Sequence, residues 1–357
     1  MTELDSSEFV SLVEAAMLAP SADNRQTFQL EHSGSVVRVW GDETYVSGPK
    51  QRRILGLVSI GAAAENMRLR AACLGFNMEV RWFPSRDSAG LLAEIDFHRV
   101  PSTTADPLEA AIAQRHTNRR MMFHGPALAQ SELHALSAEV NGIDGVELHW
   151  LDSPERRAQI LRMVRIAETD RFRCRELHDE LFSAVRFDVG WKTTSDDGLP
   201  PGSLEIERWM RPMFRSLRHW NVMRLLQRVG MHHALGLRAG YLPCRLAPHV
   251  GALTTSLDTE AGPIAAGAAF ERIWLRTTLL GMALQPLAGS ALLALPDCEW
   301  VSPNVRSELA DGWKGLAPGR LPMMLFRIGH ARAPSVRTAR PSPQAYCCAP
   351  SVQPTVG

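Results

Sequence analysis

The stretches GAAAENMRLRAACLG (61–75) and GAAFERIWLRTTLLG (267–281) stand 206 residues apart and agree at eight of fifteen positions. Each is apolar enough for a buried helix and closes on a glycine, a common helix stop. Each leads toward strand-like sequence, FNMEVRWF (76–83) after the first copy and ALLAL (291–295) after the second. The pattern predicts two copies of one α+β unit, each too thin to bury its helix alone. Pairing the two helices in a shared core is the economical arrangement. The expected fold class is α+β, with two pseudo-symmetric halves in one chain, 1–104 and 105–340.

The bulk numbers narrow the partners. The chain has 357 residues, 45% hydrophobic and 22% charged, the proportions of an ordinary globular protein. Its net charge of +1 gives no reason to expect nucleic acid or a membrane surface as partner. Six cysteines show no metal-like spacing, so no metal site and a reducing cytoplasm are expected. MTELDSSEF lacks the apolar core of a secretory leader. The most apolar run, 279–296, is broken by Gln285, Pro286 and two glycines and reads as core.

Between the repeats, DPLEAAIAQR and SELHALSAEV read as helices and GVELHWLD as a strand. Residues 153–182 read as one long arginine-rich helix with a solvated face. Residues 186–250 carry Trp191, Trp209 and Trp220, Pro212 inside a helical pattern, and no counterpart in the first half. Such an insertion is a candidate lid or an interface hairpin. Beyond 340, a Pro/Ser/Ala-rich stretch to 357 is expected to be a flexible tail.

Four short motifs could carry chemistry. LAPSADNRQTFQL (18–30) joins a helix ending near Pro20 to a hairpin turning at Ser33-Gly34. It is either a capped loop or a polar loop whose Ser21, Asn24 and Gln26 bind the edge of a flat heterocycle. In QRHTNRRMMF (114–123), Arg115, Thr117 and Arg119 alternate and would point to one side of an extended segment. Two guanidiniums flanking a hydroxyl suit a phosphate or an electron-rich carbonyl edge, although arginines near a helix end also satisfy its carbonyls. GMALQPLAG (281–289) is either a plain turn or a loop, fixed by Pro286 and Gly289, that runs through Leu287 and Ala288 and offers backbone N–H groups to a ring. LPMMLFRIGHARAP (321–334) is an apolar strand, followed by Arg337 and Arg340, cations placed to close over a phosphate.

Together the four motifs resemble the FMN-dependent nitroreductase family. APSADNRQTF is similar to its A-P-S-x-x-N-x-Q-P-W pattern, RHTNR to R-R-S-x-R, GMALQPLAG to G-I-x-x-x-P-I-x-G, and MMLFRIGHA to its closing strand. Departures are Thr27-Phe28 for Pro-Trp, His116 for the second Arg and Thr117 for Ser. The first half has the Ser21–Gln26 loop without an Arg motif, and the second half has the reverse. That complementarity resembles the tandem single-chain branch, which includes mycobacterial dormancy-associated proteins and in which one chain mimics the family's dimer.

The resemblance implies a nitroreductase-like fold with one FMN, held by both halves through the twelve residues named above. It implies hydride transfer from NAD(P)H through FMN to a nitroaromatic or quinone acceptor, with no side chain acting as acid or base. The alternative it leaves is a protein that sequesters or stores FMN beneath a lid, with little turnover. A flavin-consuming oxygen reaction is a third. A small-molecule acceptor is the expected partner, with a monomer (an internal pseudo-dimer) or a weak homodimer as the assembly.

Overall fold

The computed structural model describes residues 3–46, 48–85, 88, 90–101, 104–296 and 298–348. Asp5 opens the first helix, Ser6–Met17. Its carboxylate accepts from the N–H groups of Ser7 and Glu8 at 2.8 and 2.9 Å, and Glu8 reaches back to the Asp5 N–H. This reciprocal cap satisfies otherwise orphaned donors, and the helix buries Phe9, Leu12, Val13, Ala15 and Ala16. A hairpin of β1 (Phe28–Ser33) and β2 (Val36–Gly41) follows, turning at Gly34 with φ 64°, where glycine has no side chain to strain. The helix Lys50–Cys73 then leads into β3 (Phe76–Trp82), and β4 (Leu91–Arg99) inserts between β2 and β3.

The second half repeats this plan. Its strands are β5 (Val146–Trp150), β6 (His249–Thr255), β7 (Ala283–Pro286) and β8 (Leu321–Gly329), and the helix Ala261–Leu279 joins β6 to β7. The sheet orders are β1-β2-β4-β3 and β5-β6-β8-β7, antiparallel throughout. The chain is therefore α+β, as the sequence led us to expect, and its strands form two four-stranded sheets.

The Lys50–Cys73 and Ala261–Leu279 helices pack directly on each other. A Cβ on Gly61 would lie 2.8 Å from the Ile264 carbonyl carbon, and one on Gly267 would lie 2.8 Å from that of Val58. Both contacts obey the 206-residue offset, since Val58 and Gly61 correspond to Ile264 and Gly267. Glycine at the crossing lets each backbone sit on the other. Ile264 then joins the first half's core, and Val58 joins a core of the second half.

Several expectations are corrected. ALLAL at 291–295 is not a strand: a short helix, Gly289–Leu292, ends within it, and the strand is β7, two residues after Gly281. A run buried on every side carries no period to separate helix from strand. DPLEAAIAQR forms only a 3-10 turn over Pro107–Ala111, capped by Asp106. The arginine-rich segment is two helices, Pro154–Arg173 and Arg175–Ser183, broken at Cys174, whose ψ of 132° is extended.

The C-terminal stretch does not leave the surface at 341. Tyr346 is buried in the first half's core, and the Cys348 N–H donates to the Leu30 carbonyl of β1 at 3.1 Å. An aromatic ring with somewhere to bury holds the strap across the molecule. Residues 349–357 of the expected tail lie outside the described residues.

The 186–250 insertion mostly packs away from the motifs. Phe214, Leu217, Met223 and Leu235 close a core with Phe172 and Phe182 of the arginine-rich helices. A wide helical turn, Leu237–Tyr241, follows Gly236. Gly236 and Gly240 sit close against Thr169 and Glu168, where a Cβ would clash.

Candidate functional site

The two halves enclose a cavity of about 370 Å³, within the range of small-ligand sites. Both central helices contribute: Leu55, Val58 and Ser59 from one, Phe270 and Trp274 from the other. Of the twelve residues singled out in the sequence, ten line it: Ser21, Asn24, Arg115, Thr117, Arg119, Pro286, Ala288, Gly289, Arg337 and Arg340.

Two do not. Gln26 turns its amide to the end of the first helix, donating to the Met17 carbonyl at 2.9 Å. Leu287 is buried in the second half's core, with its N–H donating to the Leu325 carbonyl at 2.7 Å. Leu287 lies one step along the chain from the wall and Gln26 two, and both serve to hold it.

Arg115, Thr117 and Arg119 reach the cavity because their segment runs beside β7. Thr117 bridges Leu284, and the Asn118 N–H donates to the Leu284 carbonyl at 3.1 Å. Asn118 points the other way, its amide donating to the Arg332 carbonyl at 2.9 Å. The alternation expected of an extended segment is therefore present here.

The cations differ in how far the protein neutralises them. Arg52 is held by Asp23 at 2.8 Å and by Glu180. Arg340 is a strut: it donates to the Met17 and Ala19 carbonyls at 2.6 and 2.7 Å and to the Asn24 side-chain oxygen. Burial lowers its pKa to about 10. The Asn24 amide nitrogen is also taken up by the protein, donating to the Ser195 and Gly198 carbonyls at 3.3 and 3.0 Å. Asn24 adopts a left-handed φ of 60°, which its short polar side chain tolerates.

Arg115 stacks 4.5 Å over the Trp274 ring, and its Nε lies 3.1 Å from Glu271. Arg119 stands apart. Its one protein hydrogen bond among the described residues is a long contact to the Ser203 carbonyl at 3.5 Å. Among the described residues no carboxylate forms an ion pair with it, and burial lowers its pKa against the pull of Asp23. Its accessible surface opens into the cavity. Nearby, the Ser21 hydroxyl is buried without a hydrogen-bond partner. A half-buried cation with most of its donors unspent is costly unless something enters the cavity to meet it.

Sequence reasoning missed part of the wall. Arg171, Leu177, Glu180 and Leu181 come from helices read as a solvated face, and Trp300 from a loop that carried no motif. From the insertion only Leu199 lines the cavity among the described residues. The lid idea thus narrows to the segment 194–199 and the strap 337–340. These are tied together by Thr194 Oγ1 donating to the Arg337 carbonyl at 2.6 Å and by the Ala339 N–H donating to the Ser195 carbonyl at 2.9 Å.

No protein-family profile matches the sequence, and no curated protein does. Solved structures similar to this chain include a nitroreductase with bound FMN from Desulfitobacterium hafniense DCB-2, at 16% identity over 67% of this chain and 95% of that one, TM-score 0.35. Another is a nitroreductase with bound FMN from Bacteroides fragilis, at 15% identity over 64% and 89%, TM-score 0.33. A third is an FMN-dependent nitroreductase from Mycobacterium smegmatis in complex with NADPH, at 18% identity over 62% and 86%, TM-score 0.33. At such scores the likeness carries no functional weight, and the cavity's own chemistry has to bear it. Among the described residues no cluster of metal-ligating side chains occurs, and no helix is long and apolar enough to cross a membrane.

Proposed function

We propose that the chain is an FMN-binding oxidoreductase of the nitroreductase type, with one flavin in the cavity between its halves. The observation that carries this reading is Arg119, a half-buried guanidinium with no carboxylate paired to it among the described residues, facing a cavity walled in part by Phe270 and Trp274. An anionic, partly aromatic ligand would satisfy both features. The sequence motifs that resemble the nitroreductase family converge on this same cavity, which supports FMN over other aromatic anions.

A flavin bound there would accept hydride from NAD(P)H and deliver electrons to a small acceptor such as a nitroaromatic or quinone. The chain's own contribution is binding, orientation and charge. Arg115 and Arg119 stabilise negative charge on the ligand, Phe270 and Trp274 exclude water, and the strap at 337–340 covers one side. The same strap favours a second reading, flavin storage with little turnover, because Arg340 and Asn24 pin it shut. Bleaching of the bound flavin by NADPH or NADH under anaerobic conditions decides between them: rapid bleaching supports the reductase, and unreacted flavin supports storage.

One flavin per chain is expected. The residues 206 positions before Phe270 and Trp274 are Ala64 and Arg68, which supply no aromatic wall. Arg68 pairs with Glu65 at 2.7 Å, and Glu65 in turn pairs with Arg272 at 2.8 Å. Arg272 continues to Glu139 at 2.7 Å, so ion pairs occupy the equivalent region. Purified protein should release about one equivalent of FMN on denaturation, because among the described residues only the cavity beside Phe270 and Trp274 gathers the motif residues. Two equivalents would refute the single site.

A further inference from the structure

Glu65 and Glu271 occupy equivalent positions in the two repeats but sit in different surroundings. Glu65 accepts from Arg68 at 2.7 and 2.9 Å and from Arg272 at 2.8 Å. Glu271 is fully buried, and neither of its carboxylate oxygens accepts a well-formed hydrogen bond. Its ion pair is with Arg115, whose Nε lies 3.1 Å away.

The groups facing Glu271 come from three elements besides its own helix. Arg115 comes from the segment beside β7, Arg340 from the strap, and Glu65 and the Asn66 amide from the Lys50–Cys73 helix. Burial pushes the Glu271 carboxyl up to about 7, against the pull of Arg115. A buried carboxylate this poorly satisfied adds little to folding, so its position beside a cavity cation invites another role.

We propose that Glu271 is a positioning residue that sets how strongly Arg115 engages an anionic group in the cavity. As a carboxylate it competes with the ligand for the Arg115 guanidinium. On taking a proton from solvent it becomes a neutral acid and leaves that cation to the ligand, and on losing the proton to solvent it takes the cation back. Arg115 is one guanidinium between two anions, so charge gained by one weakens its hold on the other. Ligand binding and proton uptake at Glu271 are then linked, and binding tightens as pH falls through neutrality. The identity of the ligand rests on the flavin reading above, whereas the pairing is a property of the chain itself.

Trp274, under the Arg115 guanidinium at 4.5 Å, supplies a reporter that needs no ligand. Tryptophan emission of the ligand-free protein is followed from pH 5.5 to 8.5 in wild type, Glu271→Gln and Trp274→Phe. A transition near neutrality in wild type, absent from both variants, is the expected result. A transition that persists unchanged in Glu271→Gln, or none in wild type, overturns the proposal. If Glu271→Gln does not fold, Glu271→Asp serves in its place, because a shorter acid must move the midpoint, and an unmoved midpoint is equally fatal.

FMN affinity is then measured between pH 6.5 and 8.5. The phosphate of FMN titrates near the lower end, but identically in both proteins, so the ratio of wild-type to Glu271→Gln Kd isolates the carboxyl. That ratio should rise about tenfold toward pH 8.5, the factor that accompanies a tenfold change in proton affinity. FMN binding with a flat ratio keeps the flavin site and rejects the role of Glu271. An emission transition without any FMN binding keeps the Arg115–Glu271 device and rejects the flavin.

Discussion

Gly267→Ala is expected to destabilise the chain by about 3 kcal/mol, at the upper end of what overpacking a tight core costs, and Gly61→Ala should do the same. At each position the new methyl would meet a backbone carbonyl of the facing helix, that of Val58 or Ile264, rather than the end of a flexible side chain. A side chain can change rotamer. A carbonyl inside a helix moves only if the whole helix moves, and both helices are packed into cores of both halves. The cavity lies on this same helix pair, so ligand binding should weaken along with stability.

Denaturant unfolding of the two variants measures the effect. Gly142→Ala, at a left-handed position of φ 84° with open space around it, gives the scale of backbone strain without a clash, a strain the helical Gly61 and Gly267 do not carry. Loss at Gly61 or Gly267 no greater than at Gly142 would mean that the crossing is looser than described.

Arg119→Ala is expected to weaken FMN binding by about 2–3 kcal/mol, roughly 30- to 150-fold, as for a lost charge-assisted contact in a buried site. Two considerations set its rank. Arg119 spends only one long hydrogen bond on the protein, so most of its donors remain for a ligand. Arg340, by contrast, spends its donors on Met17, Ala19 and Asn24, so replacing it should chiefly loosen the strap. Removing Arg119 also removes a desolvated charge, so the ligand-free variant should be at least as stable as wild type. Equilibrium dialysis with FMN together with thermal unfolding tests both halves of the statement. Undiminished affinity in the folded variant would take Arg119 out of the site.

The residues that proved legible were those whose role follows from local chemistry. The 206-residue repeat carried the two central helices, the α+β class and the pairing of halves, because a helix apolar on most faces has to meet another apolar surface. Even the alternation of Arg115, Thr117 and Arg119 was readable, since a bridge to Leu284 keeps that short segment extended. Apolar runs such as 291–295 were not readable, because burial on all sides erases the period that distinguishes helix from strand.

The division of labour among the polar residues lay beyond any reading of motifs. Ser21, Asn24 and Gln26 look alike along the chain. The approach of the strap and of the 194–199 segment consumes the donors of Asn24, whereas Gln26 turns back to Met17 of the first helix and Ser21 is left unpartnered. Arg119 and Arg340 were equivalent cations on paper, and the partners that take up the donors of one and not of the other come from residues more than eighty positions away. Charge, spacing and periodicity belong to the chain and survive without a fold. Whether a charged or polar group is spent on the protein or kept for a ligand depends on which distant carbonyls and carboxylates arrive beside it, and folding alone brings those together.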